Sequence, residues 1–193
     1  MKELLALSAT ALIVIAYLPY IRDVLNEKTH PHVYSWFISG LLTLIAFGLQ
    51  VSKGAGWGAV PTFVAGLAGL LIFILCFIKQ RSPITKSDTF FFLFALIAAG
   101  LWLIANQPVL SVILISLADI LAFIPTFRKS WKRPHQETSF TYFVNSLRFT
   151  LATIAVQKYS VVTVLYPASG AIADAFTGTY LLVRRRNLDS EQS

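Results

Sequence analysis

Long runs of apolar residues restrict this chain to folds that a lipid bilayer can accommodate. Hydrophobic residues make up 56% of the 193 residues and charged residues 13%, whereas soluble domains carry about 25% charged residues. The apolar residues collect in seven segments, each about as long as a helix that crosses the hydrocarbon core. The segments are Leu4–Ile21, Val33–Val51, Trp57–Ile78, Thr89–Ala105, Val109–Phe127, Ser139–Gln157 and Val161–Val183. Because lipid offers no partner to backbone amides, we predict an all-α integral membrane protein with seven transmembrane helices.

The basic residues outside these segments are distributed unevenly over the two predicted sides of the membrane. If successive connections alternate between the sides, the N-terminal side holds only Lys2, Lys53 and Lys158. The other side holds twelve basic residues: Arg22, Lys28, Lys79, Arg81, Lys86, Arg128, Lys129, Lys132, Arg133, Arg184, Arg185 and Arg186. Since short cytoplasmic loops carry the excess of Lys and Arg, we expect the N-terminus outside and the C-terminus in the cytoplasm. Orientation then accounts for the net charge of +7, so we expect the lipid bilayer as a partner and no nucleic acid.

The two halves of the chain repeat each other at a constant offset of 106 residues. Pro19 recurs as Pro125, Pro61 as Pro167, and Arg22 as Arg128. An unbroken offset over this distance indicates duplication. We predict a first three-helix repeat at 1–82, a linking transmembrane helix at 83–107, a second three-helix repeat at 108–186 and a disordered cytoplasmic tail at 187–193. Because three helices plus one is an even number, both copies keep the same orientation, as in parallel transporter repeats.

Three ionisable side chains lie deep within the apolar segments of the second repeat. Asp119, Arg148 and Asp174 are nine, ten and ten residues from the predicted cytoplasmic ends at Arg128, Thr138 and Arg184, which places them roughly 14–15 Å deep. One charge at that depth costs about 2.5–3.5 kcal/mol. The sequence allows two interpretations: a binding or proton-coupling site at the membrane midplane, or structural ion pairs between helices.

Further polar, aromatic and proline residues are candidates for the same machinery. Asn145 and its equivalent Ser39 lie on the same helical faces as Arg148 and its counterpart, where they either line a cavity or bond to neighbouring helices. Trp36 and Tyr142 are candidate gates, or simply interfacial aromatics. Prolines within membrane helices free a backbone carbonyl and kink the helix. The candidate hinges are Pro19, Pro125, Pro61 and Pro167.

No enzyme motif or metal-ligand set occurs in the sequence. His-Glu-x-x-His, Gly-x-Ser-x-Gly, phosphate-binding glycine loops and Cys-x-x-Cys are absent, so we expect neither catalysis nor a metal or other cofactor. His30, His32 and His135 are expected to be solvent-exposed residues of loops. The absence of Asn-x-Ser/Thr fits a bacterial inner (plasma) membrane.

The chain resembles the SWEET and PQ-loop superfamily of seven-helix membrane transporters. That family has an aromatic residue, an aliphatic residue, Pro-Gln and an aliphatic residue, then a basic residue and a serine before the next helix. A three-one-three arrangement of helices is also typical of it. Tyr20 and Thr126 stand at the position of the glutamine, so the chain resembles a divergent member. The matching residues are Tyr17-Leu18-Pro19-Tyr20-Ile21 with Lys28 and Ser35, and Phe123-Ile124-Pro125-Thr126-Phe127 with Arg133 and Ser139.

The resemblance implies transport of a small polar solute by alternating access, as a facilitator or a proton-coupled carrier. Asp119, Asn145, Arg148, Asp174 and Ser39 are then the expected substrate-binding residues. Amino acids, sugars and nucleosides are the candidate solutes, and the sequence leaves a homo-oligomer open. The alternative is a membrane sensor or a subunit of a complex, which transports nothing and uses the buried charges as structural ion pairs.

Overall fold

A computed structural model of the chain describes residues 1–79, 84–86, 89–90, 92–93, 96–97, 100 and 107–191. Within these ranges the chain forms helices and no strand, which confirms an all-α fold for the described part of the chain. The α-helices are α1 (Lys2–Leu25), α2 (Val33–Ser52), α3 (Val60–Lys79), α4 (Pro108–Ala122), α5 (Ile124–Lys132), α6 (Ser139–Ala155) and α7 (Val161–Glu191), with 3₁₀ turns at Gly56–Ala59 and Pro134–Gln136.

Five helices match predicted segments, and a sixth segment, Val109–Phe127, is divided between α4 and α5. Their starts lie within two or three residues of the predicted ones, and α7 runs furthest past its predicted end, continuing to Glu191. Helix therefore replaces most of the disordered tail predicted at 187–193. The predicted segment at 89–105 and the linking helix at 83–107 lie mostly outside the described residues.

The apolar residues of the helices face outward as well as inward. Among the described residues, four helical segments are long and apolar enough to cross a membrane: Lys2–Leu25, Val33–Ser52, Gly56–Lys79 and Pro108–Lys132. Their exposed positions carry large apolar side chains such as Leu4 and Phe77, and α7 exposes Ile172 to 73%. Helices of soluble proteins place polar residues on that face. The described structure is therefore that of an all-α membrane protein.

The long helices pack into a closed ring. α1 contacts α3 and α6, α2 contacts α3 and α4, and α7 contacts α4 and α6. The order around the ring is therefore α1–α3–α2–α4–α7–α6. Two apolar clusters stabilise it: one contains Ile72 of α3 and Ala16 of α1, and the other contains Ile115 of α4 and Phe149 of α6.

The four candidate hinge prolines occupy two kinds of position. Pro19 and Pro167 lie inside α1 and α7, as predicted. Pro61 is instead the second residue of α3, where a missing N–H costs no helical hydrogen bond. Pro125 is the second residue of α5. It follows a turn at Phe123, whose N–H bonds to the carbonyl of Ile120 at 3.1 Å, so that proline marks a break between two helices.

Candidate functional site

A small polar cavity lies inside the ring of helices. About 60 Å³ of it is open to the centres of water molecules, which is space for several of them or for part of a small solute. Polar and aromatic side chains from both halves of the chain form much of its wall, and glycines such as Gly170 bring the backbone close. The polar and aromatic lining includes Tyr17, Ser35, Trp36, Ser39, Thr43, Asp119, Thr126, Tyr142, Asn145, Arg148 and Asp174.

Asp119 is held at the cavity by a hydrogen-bonded chain that crosses three helices. Its Oδ2 accepts a hydrogen bond from the Tyr166 hydroxyl at 3.0 Å, and that hydroxyl lies 2.5 Å from Oγ1 of Thr43. The chain thus connects α4, α7 and α2. Asp119 is only 8% exposed, and its second oxygen, Oδ1, has no hydrogen-bond partner among the described residues. Tyr166 therefore holds one oxygen of the carboxylate, and the Ser39 hydroxyl is a further polar neighbour of the group.

Arg148 is the largest fully buried side chain of the described structure. It is 1% exposed. Its Nε donates to Oδ1 of Asn145 at 3.2 Å, and Nδ2 of Asn145 donates to the Tyr17 hydroxyl at 3.5 Å. The guanidinium carbon lies 3.7 Å from the centre of the Phe149 ring, a cation–π contact. Nη1 has no hydrogen-bond partner within the described ranges, so this cation is positioned but incompletely satisfied.

Asp174 completes the set of buried charges. It is 4% exposed and lines the cavity, yet no described residue donates a hydrogen bond to it. Arg148 acts electrostatically on both Asp119 and Asp174. It nevertheless makes no ion pair with either carboxylate within 4.0 Å. Three buried ionisable groups therefore share one cavity without neutralising each other in direct pairs.

A second polar cluster, the Glu137 cluster, closes one end of the ring and consists of Tyr20, Lys129, Glu137 and Tyr142. Glu137 is 2% exposed, and its Oε2 accepts hydrogen bonds from Tyr20 at 3.1 Å and from Tyr142 at 3.3 Å. Its Oε1 is paired with Lys129. The Trp36 indole N–H donates to the Tyr20 hydroxyl at 3.1 Å. Since Trp36 and Tyr142 also line the cavity, this cluster lies directly beyond it.

Contacts between loops close the opposite end of the ring. The N–H of Gln157 donates to the carbonyl of Ala55 at 3.1 Å, and Nζ of Lys2 donates to the carbonyl of Val156 at 2.6 Å. A Cβ on Gly58 would lie 2.8 Å from the backbone of Val156, so only glycine permits this approach. Contacts between side chains and loops therefore close both ends of the ring, and the polar cavity lies between these ends.

The structure brings the predicted binding residues together. Asp119, Asn145, Arg148, Asp174 and Ser39 all line the same cavity, as do the predicted gates Trp36 and Tyr142. The four candidate hinge prolines do not belong to that lining.

Sequence reasoning missed several residues of the site. Tyr17, Thr43 and Tyr166 are not among the predicted site residues, and neither are Glu137 and Lys129. The one feature of the sequence that marks Tyr166 is its position directly before Pro167. His32 is another difference, because it is 2% exposed and not a solvent-exposed loop residue.

The described residues contain no group of three or more His, Cys, Asp or Glu side chains that could hold a metal ion. Comparison of the chain with models of known protein families, with curated proteins and with solved structures found no match.

Proposed function

We propose that this chain is a membrane transporter that moves a small polar solute through the central cavity by alternating access. The observation that carries the proposal is the set of buried charges, Asp119, Arg148 and Asp174, which surround one cavity and keep unused hydrogen-bonding capacity. Ionisable groups within membrane helices are expensive and usually mark solute or ion pathways. A solute that enters the cavity would supply the partners that the protein leaves out.

The packing of the helices supports a duplicated transporter architecture. In the order of the ring, α3 lies between α1 and α2, and α7 lies between α4 and α6. The halves meet through α1 with α6 and through α2 with α4, which are equivalent pairs at the offset of 106 residues. We therefore propose two parallel three-helix repeats joined by a further membrane helix at 83–107, an arrangement like that of the SWEET and PQ-loop superfamily, with a solute site between the repeats.

Alternating access requires two closures that open in turn, and each end of the ring offers one. The Glu137 cluster is the closure on the side with twelve basic residues, which the positive-inside rule assigns to the cytoplasm. The contacts of Gln157 with Ala55 and of Gly58 with Val156 are the closure on the outer side. Pro19 and Pro167, within α1 and α7, are the proposed flexible points for rocking of the repeats. We assign the protein to a bacterial inner membrane.

The alternative of a non-transporting protein predicts a different charge arrangement. If the buried charges served only to hold helices together, Arg148 should pair directly with an aspartate, because breaking up buried pairs is strongly destabilising. No such pair lies within 4.0 Å. The transport proposal accounts for the unpaired groups, and the static alternative does not.

Solute binding and uptake by purified protein test the proposal. Thermal unfolding in detergent is measured with a panel of amino acids, sugars and nucleosides, since a ligand of the native state raises the melting temperature. Compounds that raise it are then offered in radiolabelled form to protein reconstituted in liposomes. We expect uptake above that of protein-free liposomes for at least one compound. Uptake at the protein-free level for every compound offered would contradict transport.

A further inference from the structure

Both acidic and basic side chains around the cavity have hydrogen-bonding atoms without a partner. Oδ1 of Asp119 and Nη1 of Arg148 are buried without a hydrogen-bond partner among the described residues, although their side chains are more than nine-tenths buried. Asp174 is also buried, and it accepts no hydrogen bond from any described residue. A buried polar atom without a partner costs about 1–3 kcal/mol, and more when it is charged. The cavity therefore lacks a hydrogen-bond acceptor at Arg148 and a hydrogen-bond donor at the aspartates.

Asp119, Arg148 and Asp174 are placed so that a single solute can contact both the acidic groups and the basic group. Asp119 on α4 and Asp174 on α7 belong to adjacent helices, and Arg148 is on α6, the other neighbour of α7. Hydrogen bonds position two of these side chains: Tyr166 holds Asp119, and Asn145 holds Arg148. A guanidinium held in this way presents a planar set of donors that suits a carboxylate. The two carboxylates are acceptors for an ammonium group.

Uncharged solutes, and solutes that carry only positive or only negative charge, match this cavity poorly. A neutral sugar would bring no opposite charge to Arg148 or to the aspartates in this buried site. A simple cation would leave Arg148 unmatched, and a simple anion would leave both aspartates unmatched. The limited volume, about 60 Å³ open to the centres of water molecules, favours a compact molecule.

We infer that the solute is a compact zwitterion, with its carboxylate at Arg148 and its ammonium group between Asp119 and Asp174. Small amino acids are the chemical class that fits. This inference rests on the proposed function, because it names the solute of the cavity through which transport is proposed.

L-Alanine and the two molecules obtained by removing one of its charged groups separate the contributions of the two charges. L-Alanine carries both groups, ethylamine lacks the carboxylate, and propionate lacks the ammonium group. Binding to the full chain in detergent is measured by the shift in melting temperature as a function of concentration. We expect apparent affinities for ethylamine and propionate at least about tenfold weaker than for L-alanine, since each loses a hydrogen bond to a charged group. Glycine and L-serine are included so that a preference for another small side chain is detected.

Substitutions assign each charge to its residue. Arg148→Gln should abolish the preference for L-alanine over ethylamine and retain the preference over propionate. Asp174→Asn should do the reverse. If Arg148→Gln fails to fold, Arg148→Lys retains the charge and should bind the zwitterion more weakly, because the planar donor pair is lost.

The outcomes distinguish this inference from the transport proposal. A raised melting temperature and liposome uptake with D-glucose or uridine, and none with the zwitterions, would overturn the zwitterion inference and leave transport intact. Equal affinity for L-alanine, ethylamine and propionate would also overturn it. Uptake of none of these compounds would contradict both.

Discussion

Ser35 and Thr141, which are 106 residues apart, make the same hydrogen bond in opposite directions between the two halves of the chain. Oγ of Ser35 donates to the carbonyl of Ala122 at 2.6 Å, and Oγ1 of Thr141 donates to the carbonyl of Ala16 at 3.0 Å. Ala16 and Ala122 are themselves 106 residues apart. Each precedes a proline by three residues, in the turn where the missing proline N–H disturbs the backbone hydrogen bonds. Hydroxyl groups from neighbouring helices commonly satisfy such carbonyls in membranes.

Removal of either hydroxyl should weaken the contact between the halves to a similar degree. We expect Ser35→Ala and Thr141→Val each to lower the free energy of unfolding by about 0.6–1.7 kcal/mol, between the average and the largest value measured for hydrogen bonds between membrane helices. Thr150→Val is the matched control, because the exposed Thr150 hydroxyl bonds only to Ser146 of its own helix. Unfolding by denaturing detergent provides the measurement. Losses no larger than that of the control would show that these bonds do not join the halves.

The Glu137 cluster should control access to the cavity from its own end. Glu137→Gln leaves Lys129 beside a neutral side chain, and removal of one member of a buried pair is strongly destabilising. The closed end should therefore open more often. The reporter is Ser39→Cys in a Cys76→Ala background, because Cys76 is the single cysteine of the chain. We expect severalfold faster labelling of the reporter by a membrane-impermeant maleimide applied from the side of the cluster.

Tyr159→Phe is the control for that labelling experiment. Tyr159 is exposed, lies at the opposite end of the ring and bonds only to the carbonyl of Ile154, so its replacement should leave the labelling rate unchanged. A rate in the Glu137→Gln protein equal to that in the control would mean that the cluster does not close the cavity.

Two glycines provide a matched test of the outer closure. A Cβ at Gly58 would lie 2.8 Å from backbone atoms of Val156, which cannot move aside as a flexible side chain can, whereas a Cβ at Gly48 would meet nothing within 4 Å. Gly58→Ala should therefore destabilise the protein by about 1–3 kcal/mol. Gly48→Ala, inside α2, should be neutral or stabilise it by up to about 1 kcal/mol. Thermal unfolding in detergent compares the two, and equal melting temperatures would contradict the close packing of the loops.

Sequence reasoning located the helices and the buried charges because both leave strong local signals. Apolar runs of membrane length are recognisable without any knowledge of packing. Asp119, Arg148 and Asp174 are conspicuous because they interrupt such runs. Depth along each helix, counted from the basic ends, was sufficient to predict that the three lie at a similar level, and the structure places them around one cavity.

Contacts between helices bring the remaining residues to the site, and no local sequence pattern reveals those contacts. Tyr166 and Thr43 are 123 residues apart, and neither interrupts an apolar run. The neighbours of Glu137 in sequence are polar and give no sign that this residue is buried. Its burial results from the approach of Tyr20 and Tyr142 from two other helices. Such pairings follow from the closure of the ring, which no single segment reveals.

Uptake by reconstituted protein, with and without the buried carboxylates, tests the central claim most directly. Liposomes containing the wild-type protein, Asp119→Asn, Asp174→Asn or the exposed-site control Glu3→Gln are offered radiolabelled glycine, L-alanine, L-serine, D-glucose and uridine. The account predicts uptake of at least one compound by the wild type and the control, and at least about tenfold slower uptake by folded Asp119→Asn and Asp174→Asn proteins. Uptake at the wild-type rate by both aspartate variants would contradict it.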